Sequence, residues 1–358
     1  MGTTNEKLRD AAIRHAIELG RYGNGLSNRI VALLNSADAD ILEKLAGRLA
    51  AIEERGLDIG PATTRRLNKM LDELRALNGA IYEQVHEQLT DELTDFASGE
   101  AAFQKAALDS AIAVDVATTM PAPAMLRAIV EQAPMEGRLL KGWTTGMEQG
   151  RIERINQAIR LGMVQGESTD KIVARIRGTK AARYTDGVLD ISRRSAQSIV
   201  RTATTHVSNQ AAQHTWKANS NVVKGWQFVS TLDSRTTVTC AALSGTVHPI
   251  GEGPIPPRHI RCRSISVAVT KSFRELGVDK DELSPGQRAS MDGQIAGDTT
   301  FSKWLDAKGP AMQDTILGPT RAKLFRDGKL NLSDFIKADG TVLTLDELRA
   351  RYTIVLSH

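Results

Sequence analysis

Apolar residues along the first third of the chain recur at helical spacing. Leu8, Ala12, Ala16 and Leu19 share one face of a helix over residues 4–20. Gly23-Asn24-Gly25 predicts a break, and a second helix is expected after Ser27, to about Leu34. Leu42, Leu45, Leu49 and Ile52 predict a third. Pro61 and Thr63 then open a long helix. It carries Leu67, Met70, Leu74, Leu77 and Ile81 in heptad spacing, followed by Val85 and Leu89 in steps of four. That change of step is a stutter, which unwinds a supercoil locally. The stripe suits a helical bundle or a coiled-coil-like arm, serving either the chain's own core or a partner-binding seam.

Residues 119–124 (TMPAPA) hold two prolines and predict a linker or turn. Helical pattern returns from Ala124 to about Gly150, and Ile152, Ile155, Ile159 and Met163 form a further apolar face. Gly166-Glu167-Ser168 interrupts it. Ser168 is the expected cap of a short helix bearing Ile172 and Ile176, which Gly178 ends. Residues 188–219 predict one long helix, stopped by Asn219-Ser220-Asn221.

Past Val222 the period shortens. Residues 224–231 alternate and are bulky, as a strand requires. A short helix or turn at 236–243, a second strand at 245–250, an irregular loop at 251–258 and a third strand at 264–270 follow. Residues 271–358 are mixed, with helices expected at 300–308, 310–327 and 345–351. The fold class is α+β: mainly helical, with an N-terminal helical bundle or arm and a small β-rich module in the C-terminal half. The expected division is an acidic helical arm over 1–118, a helical region over 119–200, a β-containing core over 201–270 and a mixed extension over 271–358.

Charge adds an asymmetry. Residues 1–100 hold 12 Lys and Arg against 17 Asp and Glu; residues 101–358 hold 34 against 25. The front is net −5 and the remainder net +9, so the two ends suit different neighbours, and a basic surface suits nucleic acid. Ordinary solvated charge is the competing explanation, because no block of like charges occurs. No run of about 18 apolar residues exists, so no membrane span is expected. The first ten residues are polar and charged, unlike a secretory leader. Two cysteines are too few for a disulfide scaffold and suit a reducing compartment.

The densest chemistry lies between residues 233 and 264. His259 and Cys262 are separated by two residues, which is metal-ligand spacing when the loop turns tightly. Cys240 lies 22 positions before Cys262. Zinc takes four N, S or O donors, so Cys240, His259 and Cys262 with either Asp233 or His248 can complete one site. Pro254, Pro256 and Pro257 stiffen the loop presenting the second pair. The alternative is a pair of buried apolar thiols with no ligand. No phosphate-binding loop, nucleophile elbow or His-Glu-x-x-His motif is present. The order Arg201, Ser230-Thr231, Glu282 faintly matches that of ADP-ribosyltransferases.

Several stretches taken together resemble the phage Mu F-like head morphogenesis (minor capsid) family. They are Arg201-Thr202, Gly225-Trp226, Leu232-Asp233-Ser234-Arg235-Thr236, Cys240 to Gly245, and Pro256-Pro257-Arg258-His259-Ile260-Arg261-Cys262-Arg263. The tail is similar as well, through Trp304-Leu305, Gln313-Asp314, Leu317 to Arg321, Leu324 to Gly328 and Leu343 to Leu348. The chain departs from the family pattern at Thr237, where a cysteine is common, at Ile260 in place of proline, and at Ser264 in place of the last cysteine.

The resemblance implies a non-enzymatic structural protein of the virion, made in the host cytoplasm and placed in the capsid interior or at the portal vertex. Its implied partners are the portal protein or the major capsid protein, and packaged double-stranded DNA bound without sequence preference. Structural zinc held by Cys240, His259, Cys262 and Asp233 is the expected cofactor, or else a compact polar staple with Asp233 pinning a turn. A virion-carried enzyme, ADP-ribosyltransferase-like or a metal-dependent hydrolase, is the alternative.

Overall fold

A computed structural model describes residues 3–54, 61–112, 116–272, 274–277, 287–290, 293–296, 299–337 and 339–352. The fold is mainly helical α+β. It comprises α1 (Thr4–Glu53), α2 (Pro61–Ala111), α3 (Pro123–Gln132), α4 (Leu140–Val164), α5 (Thr169–Arg177) and α6 (Val188–Ala218). After these come β1 (Val223–Val229), α7 (Val238–Leu243), β2 (Val247–His248) and β3 (Ile265–Thr270). A hairpin of β4 (Gln287–Ser290) and β5 (Gly293–Ala296) precedes α8 (Phe301–Asp306), α9 (Pro310–Leu317), α10 (Pro319–Arg326) and α11 (Leu345–Arg351). Glu282 lies outside the described residues.

The chain divides into two compact units. The helical unit comprises residues 21–95 and 130–204. Its core gathers Ile41, Leu45, Leu49 and Ile52 of α1, Leu67, Met70 and Leu74 of α2, and Ile155 and Ile159 of α4, with Ile172, Ile176 and Leu189. The break expected at Gly23-Asn24-Gly25 is absent, and α1 runs on without interruption. Each helical glycine costs about 1 kcal/mol relative to alanine. Leu26, Ile30, Leu34, Ile41 and Leu45 are all buried on one stripe that starts directly after the predicted break. Burying such a side chain gains about 1.5–3 kcal/mol, which outweighs the local cost.

One charged residue is buried within that stripe. Asp38 receives Arg151 Nη2 at 2.5 Å and a second hydrogen bond from Arg193. The Arg151 side chain is only 1% exposed. A buried charge requires a partner of this kind.

The second unit comprises residues 1–20, 96–129 and 205–358. Its three-stranded sheet has the order β2-β1-β3, all antiparallel. Trp226 faces Ala268 and Phe228 faces Ser266. Trp216, Trp226, Phe228 and Val267 form one core with Leu8, Leu108 and both cysteines. The outer edge of β3 is closed by side chains. Asn209 Oδ1 accepts the Ser266 N–H, and Asn5 Oδ1 accepts the Thr270 N–H, both at 2.8 Å. Leu232, Phe301, Trp304, Leu324, Phe335 and Leu348 form a further core. The helix expected over 310–327 divides at Gly318-Pro319, because proline belongs in the first turn of a new helix.

Candidate metal centre

The site is built where β1 ends and β3 begins, since Val229 pairs with Ile265. After β1, Asp233 makes a turn by accepting the Arg235 N–H at 3.0 Å. Thr237 then caps α7, its Oγ1 accepting the Cys240 N–H. This places Cys240 in the first turn of α7, where it is buried.

The second half comes from the loop before β3. Gly253 has φ +82°, and an added Cβ there would lie 2.6 Å from the His248 ring. The Pro256-Pro257 bond is cis. The Cys262 N–H donates to the His259 carbonyl at 3.1 Å, closing a four-residue turn whose third residue, Arg261, has φ +62°. This is the tight turn that the spacing required. The Thr205 hydroxyl donates to the Cys262 carbonyl at 3.2 Å.

Cys240, His259 and Cys262 bring their ligand atoms within 4.8 Å of one another. Cys240 Sγ is 3.4 Å from His259 Nε2 and 3.6 Å from Cys262 Sγ. Zinc bonds of about 2.3 Å to sulfur and about 2.0 Å to nitrogen set tetrahedral edges of about 3.7 Å between sulfurs and about 3.5 Å between sulfur and nitrogen. The donor separations match those edges, while a disulfide would need about 2.05 Å. His259 Nδ1 lies 2.9 Å from the Ile260 carbonyl. The carbonyl can only accept, so Nδ1 carries the proton and Nε2 presents its lone pair toward Cys240. A backbone carbonyl on the far ring nitrogen is the usual support of a metal-binding histidine.

The two thiols are electrostatically unequal. A hydrogen bond from Cys240 lowers the Cys262 pKa, against the opposing effect of burial and with help from His259 and the Arg258 backbone. The bond to Cys262 and burial together raise that of Cys240. Of the two, Cys262 is the one its surroundings favour as a thiolate, the form that binds metal.

Asp233 and His248 stand apart from this cluster. Arg263 holds the Asp233 carboxylate with two hydrogen bonds, at 2.6 and 2.8 Å. Burial alone would raise the Asp233 pKa; the Arg263 bonds outweigh it and lower the value. His248 Nε2 pairs with the Thr246 hydroxyl at 2.8 Å, and its ring centroid is 5.0 Å from that of Trp226. Among the described residues, no fourth Cys, His, Asp or Glu joins the three. Ser230 donates to the Cys240 carbonyl, a support that residue order did not indicate. The pairing of Arg263 with Asp233 was equally silent in sequence, since the two lie 30 positions apart.

Residues 153–267 match the family model described as Phage Mu protein F like protein. The chain thus carries a Phage Mu F-like segment over about a third of its length, and Asp233, Cys240, His248, His259 and Cys262 all fall within it. The similar motifs from Trp304 to Leu348 lie beyond the match. That family points to phage head morphogenesis. No curated protein and no solved structure matches the chain.

Proposed function

We propose that this chain is a structural component of a phage head, acting in procapsid assembly at or near the portal, and that Cys240, His259 and Cys262 hold a structural zinc ion. The observation that carries the reading is the coincidence of the family segment with a Cys-His-Cys cluster whose donor separations suit a tetrahedral metal. Bound there, the metal supplies a cross-link and no chemistry on substrate. It joins the first turn of α7, which follows β1, to the loop entering β3, and so cross-links two segments that flank a small three-stranded sheet. Asp233 and Arg263 fix the neighbouring turn. The fourth donor position remains for water or a residue of a partner.

In this reading the portal or major capsid protein is the protein partner, and the basic remainder of the chain faces packaged DNA. The reading has no membrane partner; among the described residues no helix is long and apolar enough to cross a membrane. The test is location in the intact particle. Density for this chain at the portal vertex or inner shell, with co-purification on a portal ring, is the expected result. A mature virion that lacks the chain, or transfer of label from NAD that is lost in Arg201→Ala, contradicts it.

A further inference from the structure

The connection between α5 and α6 combines charge, exposure and backbone strain. Arg183 and Tyr184 are consecutive non-glycine residues with φ +51° and +61°. Such residues avoid the left-handed region unless the surroundings enforce it. Here the enforcement is local. Asp186 accepts the Thr179 N–H at 2.7 Å and the Thr179 hydroxyl at 2.8 Å, and the Tyr184 N–H returns to the Thr179 carbonyl at 2.8 Å. Gly187 lies so close to the start of the loop that an added Cβ would sit 2.4 Å from the Arg177 carbonyl carbon.

The strained loop displays cations. Arg177, Lys180, Arg183 and Tyr184 are all exposed. The Arg177 guanidinium lies 5.7 Å from the centroid of the Tyr184 ring. Among the described residues, no carboxylate pairs with Arg177, Lys180 or Arg183. The one acid inside the loop, Asp186, spends both oxygens on Thr179, while the neighbouring Arg175 is already taken by Glu167. Apart from Tyr184, the loop offers no large apolar side chain to anchor a protein partner.

We propose that residues 177–184 form a pre-organised loop that contacts the phosphates of double-stranded DNA without reading its sequence. Density of positive charge and rigidity, with no aliphatic anchor beside Tyr184, favour a nucleic-acid backbone over an acidic protein. The proposal rests on the reading that this chain works beside packaged DNA. It is nevertheless measured on the purified chain, so particle location and DNA contact fail separately.

The experiment is fluorescence anisotropy of the full chain on a short labelled duplex across a salt series, with circular dichroism confirming each variant's fold. The combined R177Q, K180Q and R183Q variant is expected to bind about tenfold or more weakly and to flatten the log affinity against log salt slope by about 2–3. Lys180→Gln alone should flatten it by about 1. Gly187→Ala keeps every charge but displaces the loop, and should weaken binding several-fold. Wild-type binding that is absent or salt-independent, or a triple variant with unchanged affinity and slope, overturns the proposal. Tighter binding to a polyglutamate peptide than to duplex assigns the loop to an acidic protein and overturns it as well.

Discussion

The helical unit and the sheet-containing unit differ in what holds them. In residues 21–95 and 130–204, long helices supply stripes of Leu, Ile and Met that fill a continuous core, and a single acid, Asp38, is tolerated because two arginines hold it. In residues 1–20, 96–129 and 205–358, the three-stranded sheet is small, and polar devices surround it: two asparagines on the β3 edge, the Asp233–Arg263 pair and the Cys-His-Cys cluster. Helices satisfy their own backbone, so apolar burial suffices for the first unit. A small sheet leaves edges and turns to be fixed by named side chains, so chemistry concentrates in the second.

Four substitutions probe this contrast, beginning with the largest effect. Asp38→Ala leaves Arg151 buried without its carboxylate and should cost about 3–5 kcal/mol in denaturant unfolding. A loss below about 1 kcal/mol would show that the helical unit does not depend on its one internal charge cluster. Asp233→Asn weakens the grip on Arg263 and should cost about 1–2 kcal/mol. The wild-type contribution is present above the ordinary carboxylate value of 3.8 and is lost as pH falls through the lowered folded value, so the variant should lack that acid dependence.

His15 comes next. Its Nε2 is 2.8 Å from Glu100, whose side chain is 1% exposed, and Glu100 in turn accepts from Gln104, while Gln104 accepts from Trp216. Burial opposes the charged imidazole, but the Glu100 bond and charge, with Glu18, outweigh it and raise the pKa. Stability from this contact is full below the ordinary value of 6.5 and is lost as pH rises through the higher folded value. His15→Gln should abolish that loss, and thermal unfolding across neutral pH reads it. The smallest effect belongs to the half-exposed Arg29–Glu92 pair of the helical unit, where Glu92→Gln should change stability by under about 1 kcal/mol.

The same contrast explains what sequence could convey. Apolar periodicity located α2, α5 and α6, and the bulky alternation after Val222 located β1 and β3, because those signals are local. Gly23 and Gly25 misled, since helix breaking is a local tendency and the stripe from Leu26 to Leu45 is satisfied only by tertiary contacts. The hairpin of β4 and β5 carries no bulky alternation and escaped notice. At the site, the meeting of Cys240 with His259 and Cys262 was legible, because the His259-x-x-Cys262 spacing follows a recurrent ligand pattern. Asp233 was equally visible, but its engagement with Arg263 was not, because spacing conveys which residues are near and not which of two partners wins. Arg151 and Arg193 gave no signal at all: an arginine in a helix looks solvated until the fold brings Asp38 to it.

The account turns on Cys240, His259 and Cys262 acting together as a clamp. Native mass spectrometry with elemental analysis of the purified, reduced full chain measures this directly. One zinc ion per chain is expected, lost in both Cys240→Ser and Cys262→Ser and accompanied by early unfolding of the sheet-containing unit. A metal-free chain in which both thiols are intact and neither serine variant alters unfolding would contradict it.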